Sequence, residues 1–295
     1  MFTLLIPSVF LLNLEVLDVK QAIKFMIIST MAFACMNGIV KYLTHFSAFQ
    51  IVFFRSVGSL FFTLGFLLKS NIPILGNNRK LLVLRGLVGV TSMTLFFMST
   101  KYLPIGTAVS LRYMAPIFAA IFAIYFLKEK IKRFQWLFFV MAFVGVLVLK
   151  GFDTQLDSYG LILVFISAIF SGLVYIVISK IGKGDHPVVV VNYFMVVSAI
   201  VGGILSINNW TNPVGKEWLM LFGLGIFGYF GQVYMTKAFQ IASTNQVAPL
   251  KYLEVIFTLL LGVLIFSEVY TIYSLLGIAL IICGLILNAA YKGKK

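Results

Sequence analysis

Residues 158–180 have the sequence SYGLILVFISAIFSGLVYIVISK, and this stretch decides the class of fold. Its single charged residue, Lys180, stands at its end. A helix rises about 1.5 Å per residue, so about 20 apolar residues cross the hydrocarbon core of a bilayer. The stretch therefore predicts a transmembrane helix.

Similar apolar runs recur along the whole chain of 295 residues, which is 61% hydrophobic, only 11% charged, and has a mean hydropathy of +1.05. A soluble domain carries about 45–50% apolar and about 25% charged residues, so the excess must face lipid. We expect an all-α integral membrane protein with ten transmembrane helices. The ten expected spans cover residues 22–43, 48–68, 81–101, 105–127, 134–150, 158–180, 187–207, 218–239, 245–267 and 270–290.

The net charge of +14 does not indicate nucleic acid binding, because the basic residues fall between apolar runs and form no long basic face. The loops between the runs are short and leave no room for a soluble catalytic domain. The two histidines, His45 and His186, lie beside loops and do not indicate a histidine metal centre. We therefore expect no enzyme activity, no cofactor, no metal and no nucleic acid partner.

Loop charge predicts the orientation, because basic loops stay in the cytoplasm. With both termini cytoplasmic, fourteen basic residues fall on the cytoplasmic side and four, Lys41, Lys101, Lys150 and Lys216, on the other. We expect a multi-pass protein of the bacterial inner (plasma) membrane. Residues 1–12 are apolar, but they are too short to span and lack a basic start and a small-residue cleavage site. We therefore interpret residues 1–19 as an N-terminal appendage. The fourteen cytoplasmic residues are Lys20, Lys24, Lys69, Arg79, Lys80, Lys128, Lys130, Lys132, Arg133, Lys180, Lys183, Lys292, Lys294 and Lys295.

The two halves of the chain align without a gap when the sequence is shifted by 139 residues. The pairs that count most are the two Gly–x–x–Gly motifs and two glutamates that each end a span. We expect repeats at residues 20–152 and 156–291, each with five spans. Because five is odd, the second copy must be inverted, a plan that recurs in secondary transporters with the substrate near the midplane. The matching positions are Lys41 and Lys180, Gly86 and Gly225, Gly89 and Gly228, Glu129 and Glu268.

Basic residues at equivalent positions mark a candidate substrate site. Arg112 and Tyr113 in span four correspond to Lys251 and Tyr252 in span nine, and Glu254 follows one near-turn later. A charge within a span costs at least about 2.5 kcal/mol, so it usually faces a cavity or a partner. Arg112 or Lys251 could bind an anionic group such as a carboxylate. The alternative is an internal salt bridge to Glu254, which could also carry a coupling proton.

Two prolines predict disturbed helices near these charges. Pro116 cannot donate a hydrogen bond and clashes with the carbonyl four residues earlier, that of Arg112. We expect span four to kink there and to leave this carbonyl free for a ligand or water. Pro249 should disturb the start of span nine in a similar way.

Polar side chains elsewhere in the spans are further candidates for the cavity wall. Asn37, Tyr175 and Gln232 could contact substrate or form hydrogen bonds between helices. Arg55 and Arg85 each lie nearer one end of their spans, and we expect them to extend toward the membrane surface.

Several short motifs resemble the EamA type of the drug/metabolite transporter superfamily. They are Phe53–Phe54–Arg55–Ser56, Tyr102–Leu103–Pro104, Pro116 followed by Leu127–Lys128–Glu129, and Ser267–Glu268. The resemblance covers about residues 20–290. It implies a ten-helix inverted-repeat bundle with both termini cytoplasmic and a central cavity lined largely by spans one, three, four, six, eight and nine.

The resemblance implies a secondary transporter that moves a small polar metabolite, such as an amino acid or a derivative, by alternating access. Residues 248–254, APLKYLE, are similar to a stretch of bacterial S-adenosylmethionine uptake transporters, so uptake of that or a related metabolite is an alternative. Alternatives from other classes are a membrane-embedded enzyme and a lipid-flipping subunit. We expect a small-molecule substrate, contact with the lipid bilayer, and a monomer or weak homodimer; a coupling proton stays open.

Overall fold

The computed structural model of the protein describes residues 5–112, 114–127, 133–152, 157–242, 247, 250–251 and 253–291. These residues form α-helices joined by short turns, with no strand among them. The helices are α1 Leu5–Tyr42, α2 Ala48–Lys69, α3 Arg79–Ser99, α4 Ile105–Arg112, α5 Ala115–Leu127, α6 Arg133–Phe152, α7 Ser158–Ile181, α8 Pro187–Ser206, α9 Glu217–Ile241, α10 Leu253–Phe266 and α11 Ile272–Ala290.

Seven helical segments of the described ranges are long and apolar enough to cross a membrane. Three shorter apolar helical segments lie within α6, α10 and α11. The prediction of an all-helical membrane architecture is thus met, and the count of ten spans stays a prediction. The seven segments are Lys20–Tyr42, Ala48–Lys69, Arg79–Ser99, Ile105–Phe126, Ser158–Gly184, Pro187–Asn209 and Glu217–Ile241; the shorter ones are Trp136–Gly145, Ile256–Phe266 and Ile272–Gly284.

The distribution of polar side chains is the reverse of that in a soluble protein. Large apolar side chains point outward, as Phe61 and Leu264 do with 73% and 77% of their surface exposed. Polar side chains such as Asn37 and Ser59 are buried between the helices. An outer surface of this kind is stable only against lipid, and buried polar groups must then find partners inside the bundle.

The first helix begins earlier than the sequence predicts. We expect an appendage over residues 1–19 and a span from residue 22, but α1 runs without interruption from Leu5 to Tyr42. Its segment Lys20–Tyr42 is long and apolar enough to cross a membrane. Apolar residues before a span can extend its helix, because each added residue gains a backbone hydrogen bond once the helix is nucleated.

Helices of the two chain halves pack in reciprocal pairs. Helices α7, α8 and α9 are the counterparts of α1, α2 and α3 in the second half. The contact of α1 with α9 therefore corresponds to that of α3 with α7, and the contact of α2 with α9 corresponds to that of α3 with α8. The contact of α5 with α7 corresponds in the same way to that of α10 with α1. Three further contacts join equivalent helices of the two halves: α2 with α8, α4 with α10, and α6 with α11. At one crossing α2 and α9 approach so closely that a Cβ added to Gly225 would lie 2.6 Å from the Cα atom of Gly58. Glycines therefore permit this contact between the halves.

The fourth span is interrupted at mid-length. α4 ends at Arg112 and α5 begins at Ala115. Met114 donates its N–H to the carbonyl of Leu111 at 3.0 Å, a tight turn rather than an α-helical bond. The kink that the sequence predicts at Pro116 falls beside this interruption, and Pro249 lies outside the described residues.

Candidate functional site

A buried cavity lies where the two halves meet. Helices α1, α2, α3, α7, α8 and α9 line it, together with the end of α4, Lys251 before α10 and Glu254 at the start of α10. Every lining side chain is buried except that of Arg112, which is partly exposed. The charged lining side chains among the described residues are Arg55, Arg85, Arg112, Lys251 and Glu254.

Arg112 reaches this cavity from the end of α4. Its guanidinium lies over the ring of Phe96, 4.3 Å from the ring centre, and its Nε atom is 3.5 Å from the hydroxyl of Ser171. Contact with an aromatic face stabilises a cation without neutralising it. Within the described part of the chain Arg112 has no ion pair, so the predicted salt bridge between Arg112 and Glu254 is not formed.

Lys251, Glu254 and Asn37 form a buried polar cluster beside Arg112. The Lys251 Nζ atom is 4.0 Å from a carboxylate oxygen of Glu254 and 4.7 Å from the ring centre of Phe33. The other carboxylate oxygen accepts a hydrogen bond of 2.8 Å from the Asn37 amide. The carboxylate is therefore held by α1 on one side and by the second half on the other. Both alternatives from the sequence, a cationic cavity and an internal ion pair, are present in this geometry.

Gln232 and Tyr175 lie on the wall of the same cavity. Gln232 on α9 accepts a hydrogen bond of 2.9 Å from Arg85. Tyr175 on α7 stacks on Phe239, with ring centres 4.9 Å apart, and only 5% of its surface is exposed. The structure thus brings six predicted site residues together: Arg112, Lys251, Glu254, Asn37, Tyr175 and Gln232. Tyr113 and Tyr252 lie outside the described residues.

The expectation that Arg55 and Arg85 extend to the membrane surface is wrong. Both are 1% exposed, and both guanidiniums face the ring of Phe194, at 5.6 Å and 4.3 Å from its centre. They lie in helix faces that pack inward, where glycines and serines leave room for them. The spacing of Arg85, Gly89 and Ser92 places one basic and two small residues on the same face of α3, but this spacing alone does not distinguish an inward from an outward face.

The cavity has a volume of about 40 Å³. A water molecule occupies about 30 Å³ in the liquid, and pockets for small-molecule ligands measure about 300–1,000 Å³. Between the described side chains this conformation therefore has space for water but not for a metabolite. A metabolite can enter only if the helices separate.

Glu268 ties the turn between α10 and α11 to the first half of the chain. Its carboxylate accepts hydrogen bonds from the backbone N–H of Ile105, at 2.9 Å and 3.2 Å, and from the hydroxyl of Tyr270 at 2.5 Å. The Nζ atom of Lys41, at the end of α1, is 3.6 Å away. A carboxylate at the start of α4 also interacts favourably with the helix dipole. We call Lys41, Ile105, Glu268 and Tyr270 the Glu268 latch.

A membrane bundle closed around a buried polar cavity between two chain halves is the architecture of a membrane transporter. The family model of the EamA-like transporter family matches residues 20–150 and 158–290. The chain therefore belongs to this family, within the drug/metabolite transporter superfamily. It is a multi-pass membrane protein and a transporter of small metabolites rather than an enzyme.

The similar proteins include both an exporter and uptake transporters. The chain is 29% identical to the pseudopaline exporter CntI of Pseudomonas aeruginosa over 94% of its length and all of that protein's. It is 30% identical to an S-adenosylmethionine uptake transporter of Rickettsia bellii, over 86% of this chain and 88% of the relative. Human solute carrier family 35 member G1 is 28% identical over 86% of this chain and 74% of its own. The chain also resembles one solved crystal structure of a protein, with a TM-score of 0.66 and 19% sequence identity. The match covers 92% of this chain and 95% of the other chain, so the two share the fold.

Proposed function

We propose that the chain is a secondary transporter that moves a small polar metabolite with an anionic group, such as an amino acid derivative, across the bacterial inner membrane by alternating access. The observation that carries the proposal is the buried cavity with Arg112 from the first half and Lys251 from the second. Arginine and lysine at a desolvated site bind carboxylates through charge-assisted hydrogen bonds. A lipid-flipping subunit would have no need of such a cavity.

The reciprocal packing of the helices supports an arrangement of ten spans in two inverted five-span repeats. The basic loops support the placement of both termini in the cytoplasm. Two such halves can exchange roles, so that a cavity closed on one side opens on the other. The small volume of the cavity supports the same cycle, because substrate must be enclosed and released by movement of the halves.

The Glu268 latch supplies a closing contact for one side of this cycle. The residues 139 positions away from Lys41 and Glu268 are Lys180 and Glu129, again a lysine and a glutamate. In the proposed topology these two lie on the cytoplasmic side, and Glu129 lies outside the described residues. We assign them the corresponding latch, which forms when the Glu268 latch opens.

The relative in Rickettsia bellii makes S-adenosylmethionine or a related metabolite an alternative substrate. That molecule carries a sulfonium cation, for which Glu254 is the one described carboxylate in the cavity wall. The four basic side chains around Glu254 would repel such a cation, so the charge of the site favours an anion. A transport assay that includes S-adenosylmethionine separates the two.

The test is transport by purified protein in proteoliposomes, across a panel of amino acids, their carboxylated derivatives and S-adenosylmethionine. Arg112→Gln and Lys251→Gln should each lower the rate about 10- to 100-fold, because a hydrogen bond to a charged group contributes about 1.5–3 kcal/mol. Lys237→Gln is the matched control, since the Lys237 Nζ atom lies over the rings of Phe25 and Tyr234, outside the cavity lining. Equal rates in Arg112→Gln, Lys251→Gln and the unaltered protein would refute the site.

A further inference from the structure

Two buried arginines of the cavity have donors that the protein itself does not use. Among the described residues, Arg85 donates to Gln232, while its Nε and Nη1 atoms have no hydrogen-bond partner. Arg55 donates to the thioether sulfurs of Met36 and Met93, which are weak acceptors. A guanidinium carries five N–H groups, and leaving them unsatisfied in a buried site costs free energy.

The charges of these arginines are also uncompensated. Neither forms an ion pair with a described carboxylate, and both lie over the single ring of Phe194. Two like charges that share one ring repel each other, and each loses its hydration. A protein that retains both in its core forgoes stability, which is a common cost of a binding site.

The pair belongs to one half of the chain only. Position 194 lies 139 residues after position 55, so Phe194 is the counterpart of Arg55 in the second half. The counterpart of Arg85 is Leu224, a buried apolar residue. Equivalent positions thus carry a cation in one repeat and an apolar side chain in the other, and the repeat alone does not account for the arginines.

We propose that Arg55 and Arg85 form a second anion-binding subsite, so that the transported metabolite carries at least two separate anionic groups. This inference rests on the proposed function, in which Arg112 and Lys251 bind the first group. The lining of the cavity offers four basic side chains against one carboxylate, Glu254. A substrate with a single negative charge would leave most of this positive charge unpaired, whereas a dianion or trianion matches it.

Ligand binding to purified protein in detergent tests the subsite directly, by the rise in the thermal unfolding midpoint. The probes are succinate and succinamate, which have similar size and shape but carry two carboxylates and one. Succinate should raise the midpoint at a concentration at least tenfold lower than succinamate does. Arg85→Gln and Arg55→Gln should remove this preference and leave the response to succinamate within about twofold.

The stability of the ligand-free protein separates a binding role from a structural one. Arg85→Met should raise the unfolding midpoint without ligand, because it removes an unpaired buried charge. An arginine that merely locks the helices together would lower the midpoint when replaced. A lower midpoint in Arg85→Met, or a response to succinate no larger than that to succinamate, including no response to either, overturns the proposal.

Failure of this inference is distinguishable from failure of the proposed function. If a monoanionic metabolite is transported with dependence on Arg112 and Lys251, and Arg55→Gln and Arg85→Gln transport it at the unaltered rate, the second subsite is wrong and the transporter site stands. If transport depends on none of the four basic residues, both are wrong.

Discussion

Replacing Glu268 by glutamine should open the cavity on the side where this residue lies. Glutamine keeps the shape and one acceptor oxygen but loses the charge that faces the N–H of Ile105, the start of α4 and the Nζ atom of Lys41. The helix terminus contributes about 0.3–1 kcal/mol and a partly exposed ion pair about 0.2–1 kcal/mol. The weaker hydrogen bond to Ile105 adds a similar amount. The closed state should therefore lose about 1–2 kcal/mol, a five- to thirtyfold change in the ratio of closed to open molecules.

Cysteine labelling measures that ratio. Ser171 lines the cavity and is 4% exposed, so Ser171→Cys reacts only in molecules that open. Cys35 and Cys283 are exposed on the bundle surface and are first replaced by alanine. A membrane-impermeant maleimide is then added on the Glu268 side of reconstituted vesicles. If opening and closing are fast relative to the reaction, the labelling rate follows the open fraction, and Glu268→Gln should raise it about five- to thirtyfold.

Glu217→Gln is the matched control. Glu217 pairs with His45 at 2.9 Å near the start of α9, in a more exposed position outside the cavity lining. The same loss of charge there should leave the labelling rate within twofold. Glu129→Gln should change the rate in the opposite sense to Glu268→Gln. A rate for Glu268→Gln that matches the rate for Glu217→Gln would refute the latch.

Three further substitutions test packing, a helix cap and coupling. Gly225→Ala should cost about 1–3 kcal/mol of stability in a thermal unfolding assay, because the new Cβ meets the backbone of α2 at 2.6 Å. Gly65→Ala is the control and should cost nothing, because no atom lies within 4 Å of its new Cβ. Burial and the charge of Lys237 lower the pKa of His186, whose Nδ1 atom caps α8. The unfolded chain then binds more protons, so stability should fall as the pH drops below about 6.5, and His186→Asn, which keeps a cap, should flatten that part of the pH profile. Glu254→Gln should abolish accumulation driven by an imposed pH gradient and spare exchange of labelled for unlabelled substrate; accumulation equal to that of the unaltered protein would exclude Glu254 as the proton carrier.

Composition and run length were sufficient to predict a helical membrane protein, because a chain with so few charges has no way to cover itself in water. The register of 139 also predicted that Arg112 and Lys251 lie at equal depth, since they are equivalent residues of the two repeats. Both residues line the cavity. Their roles in binding stay a prediction.

The inward position of Arg55 and Arg85 could not be predicted in the same way. A helix that faces lipid on one side and apolar neighbours on the other has no polar stripe to mark its inner face. A basic residue near the end of such a helix can point either way, and only the packing of α2 and α3 against α8 decides it. The early start of α1 escaped prediction for a related reason, because helix and appendage have the same apolar composition.

The two halves of the chain contribute unequal numbers of positive charges to the cavity, and this affects the transport cycle. Three cations of the cavity, Arg55, Arg85 and Arg112, come from the first half and Lys251 from the second. In the empty site the three arginines repel one another, whereas Glu254 offsets the repulsion that Lys251 adds across the boundary between the halves. A bound polyanion replaces this repulsion by attraction to both halves, and it therefore favours the closed state by as much as it binds that state more tightly. Substrate occupancy would then lower the rate of cavity labelling, and the Glu268 latch would supply the remaining free energy of closure on its side.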